Sequence, residues 1–140
     1  MIRFFDYYKD TFRYALQELN YNMTHEEGTA NICFDDDIDI EKTDSGLIMV
    51  YTRRLYIKPE ADPTLRIAYR ILFDQKEKMD PNTLTCEEIY HAFYDNALDS
   101  LDTVAARMSL LVSEIMFTAF SDPIILPPTV IRAKELKEDS

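Results

Sequence analysis

Residues 47–58 read LIMVYTRRLYIK, a run of branched and aromatic side chains with no helical spacing among them. Leu47, Met49, Tyr51, Leu55 and Ile57 alternate onto one side, and Ile48, Val50 and Tyr56 onto the other. Period-two alternation predicts a strand. Apolar residues on both sides predict a strand that is covered twice.

The flanking sequence supplies its neighbours. Upstream, ANICFDDDIDIE (30–41) also alternates. Ala30, Ile32, Phe34, Ile38 and Ile40 point one way, and Cys33, Asp35, Asp37, Asp39 and Glu41 the other. Asp36 falls on the apolar side, which suggests a bulge or a strand running past the core. Thr43-Asp44-Ser45-Gly46 is short enough for a hairpin. Downstream, PEADP (59–63) leads into LRIAYRILFD (65–74), whose apolar face is Leu65, Ile67, Tyr69, Ile71 and Phe73. Three such strands on short loops form an antiparallel meander. Arg53, Arg54, Arg66 and Arg70 are then placed to pair across strands with the acids of 35–41.

Helical spacing brackets the strands. Phe5, Tyr8, Phe12, Ala15, Leu16 and Leu19 recur every three or four residues, predicting an N-terminal helix over 1–22. Thr85–Glu88 (TCEE) fits a capping box. The stripe Ile89, Phe93, Ala97, Leu101 follows it, then a break near Ser100 and Asp102. A long helix to about 120 comes next, with Ala105, Met108, Val112 and Ile115 on one face. The expected fold is α+β: an antiparallel meander of three to four long strands over 30–75, with helices (85–120) on one face. Residues 1–132 are read as a single domain and 133–140 as a solvated tail.

Composition narrows the function. Hydrophobic residues make up 46% and charged residues 29% of the 140, as in folded globular chains. A formal charge of −11 repels nucleic acid and anionic membrane surfaces. Cys33 and Cys86 lack metal-ligand or redox spacing and are read as free thiols. With neither a signal-peptide core nor a membrane-length apolar run, a cytoplasmic location is expected. No catalytic motif emerges: His25 and His91 lie apart, and two glycines cannot build a phosphate loop. No metal or cofactor is expected either. Asp35, Asp37 and Asp39 line one strand face without converging, so they are read as a solvated or partner-facing row. A sheet that is apolar on both faces but covered by helices on one leaves surface for another polypeptide.

The segment SDPIILPP (121–128) supplies the remaining signal. Pro123 ends the preceding helix near Ser121, and Pro127 and Pro128 keep Ile124, Ile125 and Leu126 extended and outside any ladder. In the string ARMSLLVSEIMFTAFSDPIILPPTVI (106–131), Arg107 near the helix start and the stretch Pro123–Pro128 resemble the end of SecB-type export chaperones. The antiparallel strands of 30–73 match that family in order and spacing.

The resemblance implies a holdase working without ATP. It would assemble as a dimer or tetramer and bind unfolded or partly folded polypeptides in apolar grooves. Carried over, the groove positions are Tyr51, Tyr56, Ile125 and Leu126, with Phe120 beside them. Three features depart from the family: no glycine in the helix-ending turn, the aromatic N-terminal segment, and a tail RAKELKEDS without the Cys and His ligands used to dock on the SecA motor. The last argues against SecA docking. The other reading is a non-catalytic interaction or assembly domain with one fixed partner, as in a phage or toxin–antitoxin system.

Overall fold

The computed structural model describes residues 2–21, 31–58, 65–77 and 80–120, with side chains at 31–32, 57–58 and 116–120 excepted. After one helical turn, α1 (Phe4–Tyr7), come four strands: β1 (Tyr8–Tyr21), β2 (Asn31–Lys42), β3 (Gly46–Lys58) and β4 (Leu65–Gln75). All pairings are antiparallel, in the order β1-β4-β3-β2. The meander β2-β3-β4 is therefore as expected, and β1 adds a fourth strand beside β4.

The predicted N-terminal helix is corrected: Tyr8–Tyr21 is a strand. Its register against β4 shifts twice, between Tyr8 and Phe12 and between Leu16 and Glu18. Each shift inserts extra residues into an alternating pattern. The inward positions Tyr8, Phe12, Tyr14, Leu16, Leu19 and Tyr21 thus acquire helix-like gaps of three and four. The aromatic content of FFDYYKDTFRY is strand chemistry.

β2 and β3 join through Thr43–Ser45. Thr43 N–H donates to Gly46 O at 2.9 Å, and Gly46 N–H to Thr43 Oγ1 at 3.0 Å. A Cβ at Gly46 would lie 2.0 Å from Phe73 O, so only glycine lets β3 approach β4 there.

Helices cover one sheet face. α2 (Cys86–Asn96) begins with the expected capping box: Glu88 N–H donates to Thr85 Oγ1 (3.1 Å) and Thr85 N–H to Glu88 Oε1 (3.0 Å). A 3-10 turn at Leu98–Leu101 links it to α3 (Asp102–Phe120). Their faces Ile89, Ala92, Phe93 and Val104, Ala105, Met108, Val112 close over the odd-numbered residues of β3 and β4. Phe4 joins this core, its ring 5.1 Å from Phe73 and 5.0 Å from Phe93. Its backbone N–H is tied to Asn96 Oδ1 at 3.1 Å. Full burial of each such ring contributes roughly 1.5–3 kcal/mol.

Candidate functional site

Groups able to do chemistry are scattered. His91 is exposed on α2, 3.7 Å from the Glu87 carboxylate one turn away. Cys33 and Cys86 are free and exposed. Among the described residues no three His, Cys, Asp or Glu side chains converge as a metal site would require. No described helix is long and apolar enough to cross a membrane.

Among the described residues the polar cluster within the core is ionic. Asp36, the misfit of its strand, shows no bulge; β2 pairs with β3 in continuous register from Asn31 to Lys42. Its carboxylate turns inward to its register partner Arg53, both side chains 1% exposed. Arg53 Nε donates to Asp36 Oδ1 at 2.7 Å and Nη2 to Oδ2 at 2.9 Å, a bidentate pair. Nη1 reaches Ser109 Oγ on α3 at 2.9 Å, and the Tyr51 hydroxyl donates to Asp36 Oδ2 at 2.8 Å. Burial, then the Asp36 charge, pushes the Tyr51 hydroxyl far above its ordinary range. Tyr51, expected in a client groove, therefore lies in the core. What shows in the sequence as a stray acid and a pair of arginines is a buried tie joining β2, β3 and α3.

Apolar surface lies elsewhere. Among the described residues the large hydrophobic side chains that stand exposed are Leu16 (46%), Leu19 (47%) and Leu110 (65%). Leu16 is opposite Tyr69 and Leu19 opposite Ile67, so both point to the helix-bearing face. The helices cover β3 and β4 but leave this part of β1 open. Arg107 of α3 lies over the Tyr14 ring at 5.6 Å, and Leu110 is one turn further along α3 on the same flank. β1 thus leaves a shelf of Tyr14, Leu16 and Leu19, met at Tyr14 by Arg107 of α3, with the exposed Leu110 one turn further along that helix. Among the described residues β1 pairs only with β4, so its outer edge presents backbone N–H and C=O groups beside the shelf.

Among the described residues the opposite sheet face carries no helix. Ile48, Val50, Tyr56 and Leu72 are half-buried there among charged neighbours. Asp35, Asp37 and Asp39 line it, and Asp35 is held by Arg54 Nε at 2.7 Å. Burial and then Asp35 raise the Tyr56 hydroxyl. Of the predicted groove positions, Tyr56 thus sits on the open face and Tyr51 in the core. Phe120 ends α3 with its side chain outside the described residues, and Ile125 and Leu126 also lie outside them. The shelf was missed because the helical reading of 1–22 concealed β1. Alternation at Phe12, Tyr14 and Leu16 is the signal that could have found it.

No family model and no curated protein matches this sequence. Among solved structures, the chain is similar to a SecB-like chaperone of Mycobacterium tuberculosis, solved in complex with a peptide from the HigA1 antitoxin. The likeness has a TM-score of 0.54 at 15% identity and covers 81% of this chain and 86% of that one. At that identity what the two share is the architecture: a four-stranded antiparallel sheet with helices on one side, the SecB-like fold.

Proposed function

We propose that this protein binds exposed apolar segments of other polypeptides without catalysis, as a holdase of the SecB-like kind. The observation that carries the reading is the shelf of Tyr14, Leu16 and Leu19, with Leu110 nearby on α3, beside a β1 edge that pairs with no strand on its outer side among the described residues. An extended polypeptide there can add backbone hydrogen bonds to the edge while its side chains bury against the leucines. Main-chain bonding is indifferent to sequence, which suits varied clients. The SecB-like fold supports the reading, and so does the neighbour's bound peptide. The same edge and shelf serve self-assembly, and Tyr56, Phe120, Ile125 and Leu126 remain proposed contributors to client contact. We place the protein in the cytoplasm, acting without SecA.

Suppression of aggregation by several unrelated unfolding proteins, without nucleotide, tests this. The Leu16→Asp/Leu19→Asp variant should lose suppression, while Tyr56→Asp, which leaves the shelf intact, should weaken it less. A shelf variant as protective as wild type would end the reading. A second reading, one fixed partner, is favoured by the antitoxin peptide of the structural neighbour. It would be chosen if no general suppression occurs and a single stoichiometric protein co-purifies, lost in the shelf variant.

A further inference from the structure

The shelf carries a charge of the sign opposite to the chain's. Arg107 of α3 is exposed, and its guanidinium lies over the Tyr14 ring at 5.6 Å. Tyr14 in turn packs against Tyr69, with ring centroids 6.0 Å apart. Arg107 is near enough to Tyr69 that its charge opposes the rise which burial gives that hydroxyl. Among the described residues Arg13, Arg53, Arg54 and Arg66 each reach a carboxylate. Arg107 reaches none, and its guanidinium donates no hydrogen bond among the described residues. The sequence supplies the reason. Its helix neighbours three and four residues away are Thr103, Val104, Leu110 and Leu111, so a chain with 26 acidic residues puts none of them there. A cation seated on an aromatic ring, next to exposed leucine and with its N–H donors unspent, is half of an ion pair.

A strand added at the β1 edge puts every second side chain on the shelf's side of the sheet. Tyr14 and Leu16 share that side, opposite Ile71 and Tyr69 of β4. A ligand residue level with Tyr14 and another level with Leu16 are therefore also two positions apart. The first meets a guanidinium whose planar fork matches a carboxylate, and the second an exposed leucine. We propose that the shelf selects extended segments in which Asp or Glu stands two positions from an apolar residue, the carboxylate taken by Arg107 and the apolar side chain by Leu16. This rests on the shelf reading and adds a sequence preference to it: backbone pairing is indifferent to side chains, and Arg107 is not. The preference runs against the chain's formal charge of −11, whose long-range field favours basic partners. Its source is therefore local, and it should be lost with one side chain.

Three fluorescent peptides, titrated with the full chain and read by anisotropy, test it. The first is Glu-Thr-Leu-Thr-Leu-Thr-Glu, with both glutamates in step with the leucines so that either strand direction serves. The second has the same composition, each glutamate exchanged with its neighbouring threonine and so out of step. The third carries glutamine in place of the glutamates of the first. The first should bind about fivefold more tightly than the other two, roughly what one partly shielded ion pair contributes. Arg107→Gln should abolish that preference and leave affinity for the glutamine peptide unchanged. Arg107→Lys should keep part of it, holding the charge without the fork. Arg70→Gln, on the other sheet face opposite Ala15, should change nothing. Arg107 and Arg70 are both exposed, so folding should be kept, and matching thermal melts check this. Equal binding of all three peptides by wild type, or a preference that survives Arg107→Gln, overturns the inference. The shelf reading then still stands if Leu16→Asp/Leu19→Asp loses the glutamine peptide. If no peptide binds wild type, shelf and preference fall together. If native mass spectrometry shows that Arg107→Gln changes the oligomer and not the preference, Arg107 serves a second copy and the inference is overturned.

Discussion

The sheet ends in two very different strands. β1 and β2 are both edges, both long, and both pack inward against the same core. β2 is guarded: its outward row is acidic, a buried carboxylate points inward at Asp36, and Lys42 Nζ is spent on Leu84 O at 2.7 Å. Tyr90 of α2 lies close enough to feel the Asp37 and Asp39 charges. Charged side chains and an inward-facing ion are the devices by which edges avoid adding strands. β1 has its charges on the solvent side but leaves Leu16 and Leu19 open on the other. The contrast teaches that one edge carries the charges that discourage strand addition while the other leaves apolar surface open beside it.

The largest expected effect lies at the guarded edge. Asp36→Leu strands a buried guanidinium and should cost about 3–5 kcal/mol in urea unfolding. Adding Arg53→Met should recover much of that, because an apolar pair replaces an ionic one. A double variant as unstable as the single would show that other partners of Arg53 dominate. At the open edge the signs separate: Leu16→Asp/Leu19→Asp should change stability by less than about 0.5 kcal/mol per site. It should nonetheless weaken binding of an unfolded chain at least about tenfold, roughly 1.4 kcal/mol. Equal losses of stability and binding would mean the leucines are core.

Smaller changes sharpen the picture. Thr85→Ala removes the cap of α2, the helix beside β2, and should cost about 1 kcal/mol by thermal melting. Tyr8, at the start of β1, has a buried hydroxyl with no hydrogen-bond partner among the described residues. Tyr8→Phe should therefore be neutral or stabilising by up to about 1 kcal/mol. Burial, and then the nearby Cys86, raises this hydroxyl from 10.0 to about 12. The folded state thus holds its proton longer than the unfolded state. The contribution of this hydroxyl should be level below pH 10 and be lost between pH 10 and about 12. Tyr8→Phe should make that alkaline fall shallower, read from melts across the range.

Much of this was legible in the residues. Alternation of period two set β2, β3 and β4, and the Thr85–Glu88 box placed the start of α2. β1 was not legible, because two register shifts turned period two into spacings of three and four, and periodicity has no other way to tell strand from helix. The client site was hidden by the same error. Nor does alternation alone say that Tyr51 faces helices while Tyr56 faces none: that depends on which side α2 and α3 pack, a tertiary fact. Asp36 marked a departure from the pattern, but only its partners reveal a buried tie.

The most direct test of the account is hydrogen exchange measured with and without a permanently unfolded probe, reduced and carboxymethylated α-lactalbumin. Amides of Tyr8–Tyr21 should gain protection on binding, α3 around Arg107–Leu111 should slow with them, and Asn31–Lys42 should stay unchanged. Protection that appears along β2 instead, or none at β1, would contradict it.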